Sequence, residues 1–296
     1  MPSNEQRAET LIGPLFMLLS CVLFSAMGGL IRYLSIIDVH PFMTAFIRTV
    51  IALLFLMPTL HKVGLSGLKT KRFSLHFVRG LASGTAVIAS FYAVTMIPLA
   101  SAVSYSFAAP ILSTIMAVLI LKERNRIPRI MSIIFGFIGM LILLRPGAIP
   151  FSSGVAAALV SALSVAIAII CIRSLSQTDK PNVVAIYSLI ITLPFSFIFA
   201  LFRWNWPTQE QWLILVLIGF CAAVAQFSIS KAFSQSETTA LMPIDFIRLI
   251  FSAAIGYMFF DETPDFYTFI GASIILTSAV YAAHREAKLR KVTLYD

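Results

Sequence analysis

Four charged residues stand in apolar surroundings where charge is costly. Arg48, Arg79, Asp245 and Arg248 fall inside long uncharged stretches of this 296-residue chain. Ionisable groups at such positions by default mark a substrate or ion pathway, or a specific ion pair. Asp245 and Arg248 are three residues apart, so on a helix they share one face. They either neutralise each other or offer both signs to a zwitterionic or proton-coupled solute. Arg48 lies about eight residues into its stretch. Its guanidinium suits a carboxylate or phosphate; the alternatives are a pair with a helical carboxylate or carbonyl, and snorkelling to an interface. Arg79 sits just past Lys71 and Arg72, which favours an interface anchor or a cytoplasmic gate. Tyr92, Tyr105 and Ser104, with Gln226, Ser230 and Lys231, add hydrogen-bonding groups that would be unsatisfied against lipid and are expected to point inward. Tyrosine rings among a few polar groups suit a flat or amphiphilic solute, although each serine is equally able to bond its own helix. Lys231 and Glu237 are gate candidates, with Glu237 also placed to favour a helix N-terminus.

The sequence offers no catalytic constellation. His40, His61, His76 and His284 sit in connections or near the ends of apolar stretches, and HExxH, G-x-S-x-G and GxxxxGK[ST] patterns are absent, so neither hydrolysis nor ATP-driven work is expected. Cys21, Cys171 and Cys221 lie in separate apolar stretches without Cys-x-x-Cys spacing, which points to packing and not to a metal site or disulfide. No cofactor is expected.

The elements that must hold these residues are membrane helices. With 59% hydrophobic and only 12% charged residues and a mean hydropathy of +0.92, the chain is far from a soluble domain, which carries about 25% charged residues. Its fold class is all-α and polytopic. Low-charge windows predict ten spans at 11–31, 41–60, 75–97, 99–121, 130–145, 152–172, 181–202, 211–230, 237–260 and 266–283. Gly80 to Leu121 contains no charge and is too long for one crossing. Pro98 marks the turn that divides it, since proline lacks the backbone donor. Sixteen of the 22 Lys and Arg residues fall on one side of this topology and three, Arg32, Arg145 and Arg203, on the other. The positive-inside rule then puts both termini in the cytoplasm. The net charge of +9 is accordingly a loop signature, and nucleic acid is not an expected partner. Trp204, Trp206 and Trp212 cluster at one connection, as an interfacial aromatic belt would.

The chain also repeats itself. AVTMIPLASAVSYSFAAPILSTIMAVLILKE ends at Glu123, and AFSQSETTALMPIDFIRLIFSAAIGYMFFDE ends at Glu262, 139 residues later. Five helices per half is an odd number, so the second copy must enter the membrane upside down, a plan of alternating-access carriers. The halves are predicted at 11–146 and 152–283, with cytoplasmic tails at 1–10 and 284–296.

FIRTVIALLFLMP, LKERNRIPR, GFIGMLILLRPG and the weaker echo at DETPD resemble the drug/metabolite transporter superfamily, in particular ten-helix bacterial proteins with two EamA repeats. HFVRG (76–80), KAFSQSE (231–237) and FFDETPD (259–265) are most similar to members related to S-adenosylmethionine uptake carriers. The resemblance implies a secondary transporter in the cell inner membrane. Its expected partners are the lipid bilayer and a small polar or zwitterionic metabolite, with S-adenosylmethionine-like uptake favoured over export of amino acids, vitamins or drugs. Protons or another coupling ion, and a second copy of the chain as a homodimer, are admissible partners. A non-transporting membrane scaffold or receptor is the rival from another class.

Overall fold

A computed structural model describes residues 4–121, 151–175, 177–235, 247–263 and 265–274, with isolated positions at 134–142, 277 and 281. Nine helices are assigned among the described residues: α1 (Asn4–Ile36), α2 (Pro41–Gly67), α3 (Phe73–Met96), α4 (Leu99–Ser106), α5 (Ala108–Leu121), α6 (Ser153–Leu175), α7 (Pro181–Leu201), α8 (Gln209–Gln235) and α9 (Ile247–Phe260). Residues 266–274 are helical as well. Five segments are long and apolar enough to cross a membrane, in α1, α3, α6, α7 and α8. The expected span at 130–145 and the start of the expected span at 237–260 lie largely outside the described residues.

One predicted element is corrected. The span expected at 99–121 is two helices, because α4 ends at Ser106 and α5 begins at Ala108. Pro110 has no N–H to give to the carbonyl of Ser106, four residues back, so the helical ladder loses a rung at that point. Phe107 instead donates its N–H to Ser104 in a tighter turn, 3.2 Å. The turn at Pro98 lies where expected, between α3 and α4. There Arg32 donates to the carbonyls of Val94 at 3.0 Å and Ile97 at 2.7 Å, satisfying acceptors that the end of a helix leaves unpaired.

The chain forms two compact units, each drawn from both sequence halves: Met1–Gly29, Pro98–Phe151 and Val224–Asp296 make the first, and Leu30–Ile97 and Ser152–Ala223 the second. In the second, α3 packs chiefly against α6 and α7. Gly80 and Gly84 form a small-residue groove of the kind that lets membrane helices approach closely. A Cβ on Gly80 would lie 2.5 Å from Ile191 Cβ, and one on Gly84 would lie 2.6 Å from Phe195. Close approach also brings hydroxyls onto neighbouring backbone: Thr192 donates to the Gly80 carbonyl and Ser161 to the Ala86 carbonyl, both at 3.0 Å. In the first unit, Ser25 of α1 donates to the Arg248 carbonyl at 3.0 Å and accepts from Ser252 at 3.1 Å. All three cysteines are buried.

Candidate functional site

The first unit holds a cation at the break between α4 and α5. Arg248, partly buried on α9, donates from Nη2 to Ser106 Oγ at 3.2 Å, and its Cζ lies 5.3 Å from the centroid of the Phe107 ring. Its Nε is buried without a hydrogen-bond partner. The interrupted helix thus puts a hydroxyl and a ring face against one guanidinium, a cation–π arrangement that leaves donor capacity unused. Tyr105, one residue before Ser106, is buried, and Ser104 bonds the Ala100 carbonyl of its own helix at 2.8 Å. Asp245 and Glu237 lie outside the described residues, so the expected Asp245–Arg248 pair is not described.

Glu262 organises the start of α4. After α9 the backbone turns through Asp261 at φ 52°, a left-handed conformation that aspartate tolerates better than most residues. Glu262 Oε2 then accepts from the N–H of Leu99 at 2.7 Å. A carboxylate at a helix N-terminus satisfies an orphan donor and complements the helix dipole. Glu262→Ala is expected to lower the stability of the purified protein by about 1.5–3 kcal/mol, the range for a hydrogen bond to a charged group. Glu262→Gln should lose less. Unfolding in detergent checks this, and equal losses in the two variants would count against the cap.

The second unit carries two separate cationic positions. Arg48 on α2 is partly exposed, its Nε is buried without a hydrogen-bond partner, and no carboxylate lies within ion-pair distance of it among the described residues. Arg79 behaves differently, donating from Nη1 to the Val184 carbonyl of α7. That contact ties α3 to α7. Tyr92 is partly buried on α3, its hydroxyl 3.3 Å from Ser153 Oγ and its ring 6.1 Å from Phe42. Phe42 in turn meets Phe199, and Phe46 meets Trp204, forming an aromatic cluster at this end of α2.

Two expectations about orientation are not met. Gln226 and Lys231 on α8 are exposed, where inward-facing groups were expected.

One cluster escaped the sequence reading altogether. His76 Nε2 lies 2.6 Å from Asp179 Oδ2, with the imidazole 0% and the carboxylate side chain 11% exposed. Thr70 donates to the same carboxylate oxygen at 2.8 Å, and Arg72 donates to the carbonyl and hydroxyl of Ser174 at 2.7 and 2.6 Å. The hydrogen bond from His76, joined by those of Thr70 and Thr178, holds the Asp179 carboxyl below the usual carboxylate range. A carboxylate with a depressed pKa contributes stability above its ordinary value and loses it as pH falls through the lowered one. Asp179 therefore stays ionised through mild acidification. The partners are 103 residues apart, so spacing gave no signal. Among the described residues no group of three or more His, Cys, Asp or Glu side chains converges as a metal site would require.

A family profile described as the EamA-like transporter family matches residues 11–145 and 152–283. The chain belongs to that family. This EamA-like protein is similar to the S-adenosylmethionine uptake transporter of Rickettsia prowazekii, 30% identical over 285 residues covering 96% of this chain and 97% of that protein. It is also similar to the riboflavin transporter of Vibrio cholerae, 28% identical over 280 residues covering 93% and 94% respectively. A solved crystal structure shares its fold, with a TM-score of 0.63 at 20% identity over 96% of this chain and 99% of that one. The protein is a multi-pass membrane transporter of a small polar metabolite, and not an enzyme.

Proposed function

We propose that this EamA-like transporter takes up an S-adenosylmethionine-like metabolite across the cell inner membrane by alternating access, using ten spans arranged as two inverted five-helix repeats with both termini in the cytoplasm. Arg48 carries the reading: a guanidinium on a membrane helix, with buried Nε unpartnered and no carboxylate within ion-pair distance among the described residues, has donors to spare for an anionic group of the solute. S-adenosylmethionine presents such a group in its amino-acid carboxylate and a planar adenine that suits an aromatic cluster of the kind at Phe42, Tyr92 and Phe199. Arg248, with a ring face and a hydroxyl beside it, is the second substrate candidate. Tyr105, Gln226 and Asp245 remain candidates of lower rank, with Arg79, Lys231 and Glu237 as gates.

A riboflavin carrier is the second reading, because the same aromatic cluster suits a flat, uncharged ring system equally well. Uptake into proteoliposomes of radiolabelled S-adenosylmethionine and riboflavin, under imposed proton gradients of either sign, separates the two. Saturable S-adenosylmethionine flux that excess unlabelled riboflavin does not suppress is the expected result. Saturable riboflavin flux alone would replace the first reading by the second, and flux of neither would overturn both.

A further inference from the structure

We propose that His76 and Asp179 form a proton-binding site of the transport cycle, closing one end of the second unit where α3, α7 and the connections on either side of them converge. The consequence for transport rests on the function proposed above; the binding of the proton does not.

The geometry leaves one site open on a buried ring. With Nε2–H directed at the Asp179 carboxylate, the neutral tautomer leaves His76 Nδ1 as an acceptor, and that atom is buried with no hydrogen-bond partner. A proton added there breaks no bond and needs no other reactant. It converts the histidine–carboxylate unit from a net charge of −1 to zero, and it converts Nδ1 from an acceptor without a donor into a donor without an acceptor. The first change favours uptake, because an imidazolium bonded to a carboxylate is a charge-assisted pair. The second forces a response, because a buried N–H without an acceptor demands water or a new partner. Proton occupancy and local structure are therefore linked. Histidine is the side chain whose ordinary charge change falls in the physiological range, and with a coupled carboxylate the proton belongs to the pair.

The surroundings make the response mechanical. The His76 ring stacks on Tyr187 with centroids 4.6 Å apart, and the Tyr187 hydroxyl donates to the Leu68 carbonyl at 2.9 Å. Thr70 and Asp179 join the two connections, and Arg72 reaches Ser174 at the end of α6. The ring, itself on α3, thus meets α7 and the connection carrying Asp179, and is linked to the connection before α3 through Tyr187 and Asp179. The other charged or titratable groups on these elements are Lys69, Lys71, Arg72 and Arg79 on and before α3, Cys171 on α6, Lys180 before α7, and Tyr187 itself; the Arg173 side chain lies outside the described residues. Apart from Asp179, the charges on these elements are cationic and favour proton release, so the ionised Asp179 carboxylate is the group that stabilises a proton on the His76 ring.

Nitrogen-15 NMR of histidine-labelled protein in nanodiscs tests the site directly, with His76→Gln assigning its signals among the four histidines. Across a pH series the His76 ring nitrogens are expected to pass on acidification from an Nε2–H tautomer to the doubly protonated form, at a midpoint that moves in Asp179→Asn. Signals that do not change across the series, or a midpoint unmoved in Asp179→Asn, overturn the proposal. In proteoliposomes with S-adenosylmethionine and riboflavin as probes, a pH dependence on the order of tenfold in the wild type should flatten in both His76→Gln and Asp179→Asn. A profile retained in both variants overturns the transport role. Absence of flux with either probe defeats the transport reading instead, and the proton site is then judged by NMR alone.

Discussion

Placing a single methyl group on Gly80 is expected to loosen the second unit more than any other small change in α3. The added Cβ would meet Ile191 Cβ at 2.5 Å, Cγ2 at 2.6 Å and Cδ1 at 3.1 Å, so it presses on the branched root of a side chain and not on a flexible tip. Overpacking of this kind costs about 1–3 kcal/mol. Displacing α7 also stretches the bond from Thr192 to the Gly80 carbonyl, and such interhelical bonds average about 0.6 kcal/mol. Gly80→Ala should therefore lower unfolding stability in detergent by about 2–4 kcal/mol. Val78→Ala, at an exposed position two residues away, should stay within about 0.5 kcal/mol of the wild type. Exchanging the glycine between the helices, as Gly80→Ala with Ile191→Gly, removes the clashing atoms and should recover part of the loss. A strictly additive double variant would rule out a direct contact between the two positions.

Arg48 leads to the opposite sign of stability change. A guanidinium with no carboxylate within ion-pair distance among the described residues is a desolvation cost in the folded state, so Arg48→Met should leave the folded protein as stable as the wild type or more so. Its effect on transport should be severe. Removing one partner of a buried charged contact costs about 2–5 kcal/mol, which corresponds to roughly 30-fold or more in the half-saturating concentration of a carboxylate-bearing solute. Arg48→Lys keeps the charge but not the planar fork and should fall between. Riboflavin has no carboxylate, so any flux of it should change little. An Arg48→Met protein that unfolds more easily and transports normally would make this arginine structural.

How much of this was readable beforehand depends on what each residue has for a partner. Scarcity of charge located Arg48, Arg79 and Arg248, and the proline at position 98 located a turn. What Arg32 and Arg79 bond was not readable, because their partners are backbone carbonyls at Val94, Ile97 and Val184, and a carbonyl is present at every position. The contacts of Ser25 and Ser252 are not readable for a similar reason: a mid-helix serine usually turns to its own helix, as Ser104 and Ser106 do, and only packing shows which ones reach across. Pro110 is visible in the sequence, but the break at Ser106 follows from its missing donor and the carbonyl four residues back. His76 was set aside for its position near a helix end, which is the place where a connection from elsewhere in the chain delivers Asp179.

The bond between Arg79 and Val184 also bears on how the protein is made. Its partners are separated by 105 residues, and Gly80 and Gly84 likewise wait for Ile191 and Phe195. At about 5–20 residues per second, α3 leaves the ribosome on the order of 5–20 s before α7 exists. During that interval it carries an unsatisfied guanidinium and a groove without its ridge, and it needs a temporary host at the insertion machinery or among earlier helices. The first half of the chain expressed alone would never end that wait, and it should be a substrate for membrane quality control.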